Sequence, residues 1–309
     1  MSTLLDIQDE IQRTNEAVAR AERAVANHPM LLSAQATLRG FAQLRDRLQA
    51  EFEEAAAATR HDVCRYAIET DDPMPAMSDI AGVWETFQRL FTAVYDVIVN
   101  KGPKQRERIS DAAADATRFG FAYTFEGSIG VVMTVDQGPG LIPNTALDDA
   151  MKSVFEIMGA RRPEEIIEVN RRFGLATVKI VREWAADNAR ARFGANVEWR
   201  GASPTPQHFR IQTPEIIQLE SAIDRAAEHR TEEIEGDLIE VNYEERTFQM
   251  RTSPSKQLIS GTYDDAISLD QPAQVPSRYR AHVRVSRRIL SQGDEDQISY
   301  FLVRLDPGG

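Results

Sequence analysis

The chain has 309 residues, with 36 Lys plus Arg against 48 Asp plus Glu, for a net charge of −12. Apolar residues make up 42% and charged residues 27%, the balance of a folded globular protein with room for two or three cores. A single cysteine, Cys64, excludes an internal disulfide framework and a multi-cysteine zinc site. No apolar run approaches the roughly 18 residues of a membrane span, and the N-terminus reaches the charged Asp6 without the apolar core of a signal peptide. A cytoplasmic address with no membrane partner is therefore expected.

Ile7, Ile11, Thr14, Val18, Ala21 and Val25 recur at alternating spacings of four and three, the seam of a coiled coil. Asn27-His28-Pro29 interrupts it, because proline disfavours helix in the residue before it and suits the first turn of a new one. Leu31, Ala34, Leu38, Phe41, Leu44, Leu48, Phe52 and Ala55 carry a second helix, and so short a joint folds the two back as an antiparallel hairpin. Its seam is narrow and partly alanine, so it should pack on the rest of the chain or on a second copy. His61, Asp62 and Cys64 read as a further stretch of helix.

Thr70 to Pro75 is a break, after which Ile80, Val83, Trp84, Phe87, Leu90, Phe91, Val94, Tyr95 and Ile98 form the wide apolar stripe of a core helix. Phe119 to Val135 alternates like a β-hairpin turning at Gly127-Ser128 and closed by Gly138-Pro139-Gly140. Helices are expected at 145–158, 163–172 and 175–193, the second opening on Pro163 with Glu164 and Glu165 in its first turn. Gly201 to Gln207 reads as a linker, 208–211 as a short strand, and Thr213-Pro214 as the start of a helix reaching about 230. Strands at 234–242, 246–252, 256–262, 278–290 and 298–305 then suggest a small SH3-like or OB-like barrel.

The expected fold is α+β: an N-terminal antiparallel helical hairpin (1–69), a mixed α/β middle domain with a β-hairpin (70–201), and a short helix plus a five-stranded β-barrel (202–309).

Catalytic signatures are absent: there is no phosphate-binding GxxxxGK[ST] loop, no GxGxxG, no HExxH and no His/Cys set at metal spacing. Glu126-Gly127-Ser128-Ile129-Gly130 lacks the first glycine of a nucleophile elbow and sits between strands. No metal or cofactor is expected.

Three features remain. Residues 164–187, with a helix, Gly174-Leu175-Ala176 and a second helix carrying Ile180, resemble a helix-turn-helix DNA-binding motif, which implies Lys179 and Arg182 as DNA contacts. Asn170 departs from the small residue usual at that helix crossing. The strand from 278 to 285 puts Arg278, Arg280, His282 and Arg284 on one face, with Arg287 and Arg288 extending the basic run. That row either holds an anion or is neutralised by Glu232, Glu233, Glu235 and Asp237 through cross-strand pairs. Finally, the Gly308-Gly309 terminus resembles the tail of ubiquitin-like modifiers, although the strand order departs from theirs.

These features fit a non-enzymatic cytoplasmic subunit that self-associates as a dimer or higher oligomer, or docks a partner protein, and binds a ligand through its C-terminal β-domain. The alternatives are a DNA-binding regulator, disfavoured by the net charge of −12, and a subunit of an enzyme complex with a split active site.

Overall fold

The computed structural model describes residues 3–125, 129–138, 145–263, 275–290 and 298–307. The Gly127-Ser128 turn, Pro139-Gly140, the connections at 264–274 and 291–297, and Gly308-Gly309 lie outside the described residues. The chain divides into two compact units, Met1–Arg161 with Val169–Glu220 and Arg162–Glu168 with Ser221–Gly309. No helix among the described residues is long and apolar enough to cross a membrane. The protein is α+β, with helices toward the N-terminus and a closed barrel toward the C-terminus.

The first unit opens with α1 (Leu4–Asn27) and α2 (Leu32–Ala58), the expected antiparallel hairpin. Thr3 caps α1: its hydroxyl accepts from the Asp6 amide while the Asp6 carboxylate accepts from the Thr3 amide, a reciprocal capping box. Then follow β1 (His61–Glu69), α3 (Met77–Asn100), α4 (Asp111–Ala116), β2 (Gly120–Phe125), β3 (Ile129–Asp136), α5 (Thr145–Met158), α6 (Pro163–Phe173), α7 (Leu175–Ala191), β4 (Gly194–Arg200), β5 (Gln207–Ile211) and α8 (Thr213–Arg225). The five strands form one antiparallel sheet in the order β2-β3-β1-β4-β5.

The hairpin covers one face of this sheet. Ile7 and Ile11 of α1 and Leu48, Phe52 and Ala56 of α2 pack with Val63, Ala122, Tyr123 and Val132. The Phe52 and Tyr123 rings meet edge to face at 5.2 Å. The opposite face carries α3, α5 and α7. Phe87 of α3 packs on Tyr66 at 4.9 Å, Phe91 on Trp199 at 5.5 Å, and Trp184 of α7 donates its indole N–H to the Tyr66 hydroxyl at 3.2 Å.

Residues 61–69 correct the helical expectation: they are a strand, and the central one. His61 to Ile68 pairs with β3 and Val63 to Glu69 with β4. Val63 and Arg65 face the hairpin while Cys64 and Tyr66 face α3 and α7. A strand covered on both faces loses the polar alternation that marks a half-exposed one, so its sequence resembles a helix continuing from α2. β4 had no counterpart in the sequence reading, although Ala195, Val197 and Trp199 alternate as buried residues.

In the second unit, β6 (Ala227–Asn242), β7 (Thr247–Thr252), β8 (Leu258–Tyr263), β9 (Ser277–Arg288) and β10 (Ile298–Pro307) close a barrel in the order β10-β8-β7-β6-β9. β8 and β10 pair in parallel and every other pair is antiparallel, an OB-like rather than an SH3-like arrangement. Leu238, Phe248, Met250, Ile259, Ala281, Val283, Val285 and Leu302 fill its interior. Residues 227–230, expected as the end of a helix, belong to β6. Ala227 to Leu238 pairs without a break along β9, and that ladder outweighs the helical preference of Ala-Glu-His-Arg.

The layering makes a contrast measurable. Phe52→Ala empties the hairpin–sheet interface and should cost roughly 3–5 kcal/mol of stability in chemical denaturation. Leu31→Ala, at a position 51% exposed, should stay within about 0.5 kcal/mol.

Candidate functional site

Alternation along β9 sends Arg278, Arg280, His282 and Arg284 to the outside of the barrel, with Ala281, Val283 and Val285 buried and Tyr279 half-buried. Cross-strand register sets Glu235 opposite Arg280 and Glu233 opposite His282. The Arg280 guanidinium donates to Glu235 at 2.8 Å and 3.2 Å, and Arg278 lies 3.8 Å from the same carboxylate. His282 sits between two acids, with Nε2 3.1 Å from Asp306 and Nδ1 3.5 Å from Glu233. The Arg280 side-chain bond and charge hold the Glu235 carboxyl below its usual range. Arg284 lies over the Phe301 ring at 5.5 Å. Arg288 shares the outer parity of the row whereas Arg287 has the inner parity at the strand's end, so these two do not continue one line of charge. The surface is a ladder of alternating sign.

Gly174 joins α6 to α7 with φ +89°, and a side chain there would strike the backbone of Lys104. The Lys104 amide donates to the Phe173 carbonyl at 3.1 Å, and the Ala176 amide donates to the Lys104 carbonyl at 3.0 Å. Lys104 is anchored in turn by its ammonium on Asp96, a fully buried carboxylate that also accepts from Ser110 at 2.8 Å and Asn100 at 2.5 Å. Burial pushes Asp96 up, but these donors outweigh it and its pKa lies below the usual carboxylate value. The first turn of α7, which would enter a DNA groove, is thus occupied by the protein's own backbone. Lys179 is exposed and Arg182 half-buried on this helix, whose Val178, Ile180, Val181 and Trp184 are buried.

The α1–α2 hairpin changes character along its length. From residue 22 to residue 47 none of its side chains is buried. Met30 is 90% exposed and Leu32 77%.

A further site was not foreseen. A cleft of about 620 Å³ opens beside the start of β1, lined by Glu53, Glu54 and Ala57 of α2, by Asp62 and Gln137, and by residues 200–204. Asp62 is 1% exposed; its Oδ1 accepts from the Gln137 amide, and among the described residues its Oδ2 has no hydrogen-bond partner. Behind it, Asp148 of α5 accepts from the Trp199 indole at 2.7 Å and the Ser203 amide at 2.8 Å. A Cβ at Gly201 would lie 1.7 Å from an Asp148 oxygen, so only glycine admits that carboxylate. Burial pushes the Asp62 carboxyl up, the Gln137 bond offsets part of this and the Asp148 charge adds to it, bringing its pKa to about 7. Cys64, on the same strand face, is fully buried and its thiol is pushed well above its ordinary value, so it is no nucleophile. Asp62, Gln137, Asp148 and Ser203 share no spacing along the chain; only the strand assignment of 61–69 would have drawn attention to a carboxylate facing the core.

No protein-family model, no curated protein and no solved structure matches this chain.

The titration of Asp62 sets a sign for stability. Its native carboxyl keeps a proton up to about pH 7, while the unfolded chain releases it near 3.8. Stability should fall as pH rises between these values, by on the order of 4 kcal/mol, and the loss should be complete above pH 7. Asp62→Asn removes the penalty, so the variant should melt above the parent at pH 8 and close to it at pH 4. On the barrel, Arg280→Glu sets two carboxylates opposite each other. Its melting temperature should fall, and more in 20 mM than in 500 mM salt.

Proposed function

We propose that the chain is a non-enzymatic, cytoplasmic subunit that pairs with a second copy of itself through the α1–α2 hairpin, carrying the barrel as its ligand-binding module. The observation behind this reading is the bare outer half of the hairpin. Two helices with a narrow seam bury little apolar surface by themselves, and none of the side chains at 22–47 is buried.

Charge favours a second copy as the occupant. The outer half carries Arg23, Arg39, Arg45 and Arg47 against Glu22 and Asp46, whereas the inner segments 4–21 and 48–58 carry seven carboxylates against Arg13 and Arg20. Two hairpins laid antiparallel, each outer half along the other's inner half, bring opposite signs together at both ends of a twofold interface. A groove beside α1, lined by Asp6, Asp9, Glu10 and Phe41, lies on the acidic side of that arrangement. The DNA-binding alternative has less support, since the start of α7 is capped by Lys104.

Light scattering on the full chain at about 50 µM should give a mass near twice 34.7 kDa. Leu31→Asp with Leu32→Asp should return it to the single-chain mass without lowering the melting temperature, and added salt should weaken the dimer. A parent protein that stays at the single-chain mass at 100 µM sinks the proposal.

A further inference from the structure

We propose that the cleft beside the start of β1 binds a small organic cation, a primary amine or guanidinium compound, with Asp62 as its anchor. The inference does not rest on the hairpin's role, because the cleft lies within the first unit and uses none of residues 22–47.

Three observations carry it. First, Asp62 lines this cleft with a side chain only 1% exposed, and among the described residues its Oδ2 has no hydrogen-bond partner. A buried acceptor without a donor is costly, and a ligand N–H supplies the missing partner. Second, two arginines on this side of the sheet, Arg200 and Arg65, are already paired with carboxylates. Arg200 reaches Glu53 at 3.2 Å and Glu198 at 2.7 Å, and Arg65 also reaches Glu53. Third, Asp148 accepts from two neutral donors, the Trp199 indole and the Ser203 amide, and its charge acts on Asp62. The same field that favours a proton on Asp62 favours a bound cation in its place.

The size and chemistry of the cleft narrow the class. About 620 Å³ suits an organic molecule rather than a bare ion. Among the described residues no group of three or more His, Cys, Asp or Glu side chains could hold a metal. The exposed Glu54 on the rim offers a second carboxylate for a cation with two charged ends. The charged and titratable groups around Asp62 are Asp148 from α5, Glu53 and Glu54 from α2, Arg200 from β4, and Arg60 and His61 beside it in sequence. A cation must displace the Asp62 proton, so binding releases that proton and strengthens as pH rises.

Agmatine, with a guanidinium at one end and an ammonium at the other, is the probe. Calorimetry on the full chain at pH 8 should give saturable one-to-one binding. Affinity should fall about tenfold per pH unit below pH 7 and level off above it, following the protonation of Asp62. Asp62→Asn should weaken binding at least tenfold. Ala57→Trp, at an exposed position of α2 that lines the cleft, should block binding with the core untouched, and it decides the matter if the first variant does not fold. No saturable heat with 5 mM agmatine at pH 8, an affinity independent of pH, or unchanged binding in Asp62→Asn overturns the proposal. Inorganic phosphate binding in agmatine's place, abolished by Ala57→Trp, overturns the cationic assignment.

Discussion

The first unit depends on one constraint, that β1 must be covered on both faces. Val63 and Arg65 point one way and Cys64 and Tyr66 the other, and Val63, Cys64, Tyr66 and Ile68 are all buried. Burying only one side would leave the other apolar face in water, at about 25 cal/mol for each Å² exposed. The chain meets the constraint with two sets of helices of different origin. The hairpin precedes β1 and folds back onto it, while α3 and α7 arrive from later in sequence and close the far side. The inner half of the hairpin is therefore core, and the outer half is what remains once that work is done.

Buried polar groups in this unit show two opposite solutions to one problem. Asp96 sits in the interior with three donors around it, so its charge is kept and it ties the segment after α3 to the protein. Through the Lys104 backbone that anchorage extends to the joint between α6 and α7, where Gly174 is required because nothing larger fits beside it. Asp62 has one donor and a neighbouring carboxylate, so its charge is resisted. The first arrangement is that of a structural ion pair. The second leaves one buried oxygen without a hydrogen-bond partner among the described residues.

Much of the architecture was legible because its elements carry one-sided patterns. The heptad-like spacing from Ile7 to Ala21 and the alternation along β9 each announce a single buried face, and the stripe from Ile80 to Ile98 announces a core helix, buried at every residue from Leu90 to Val97. β1 carries no such asymmetry, so a helical reading flowed on from α2. The extension of β6 back to Ala227 was hidden for another reason: local preference points to helix there, and only pairing with β9 makes it a strand. The basic row on β9 was visible, but its neutralisation is a matter of register, which puts Glu235 opposite Arg280 and is not written in either strand alone. The Asp62 cleft was the least legible feature. It gathers residues from α2, β1, the residue after β3, and the end of β4 with the segment after it, and its defining property is a hydrogen bond that is missing among the described residues.

The strand order has a kinetic consequence. β6, β7 and β8 are joined by short connections, so the barrel's first pairings, such as Asn242 with Thr247 and Arg251 with Leu258, close loops of only a few residues. β1 must instead find β3 through His61 with Asp136, and β4 through Val63 with Arg200. Contacts so distant along the chain are slow to form, because loop entropy is lost before any pairing rewards it. During that search the hairpin and α3 can already be helical while β1 is still uncovered. Cys64, sealed in the native sheet, then has its thiol open to reagents, so its alkylation marks the interval before the sheet closes.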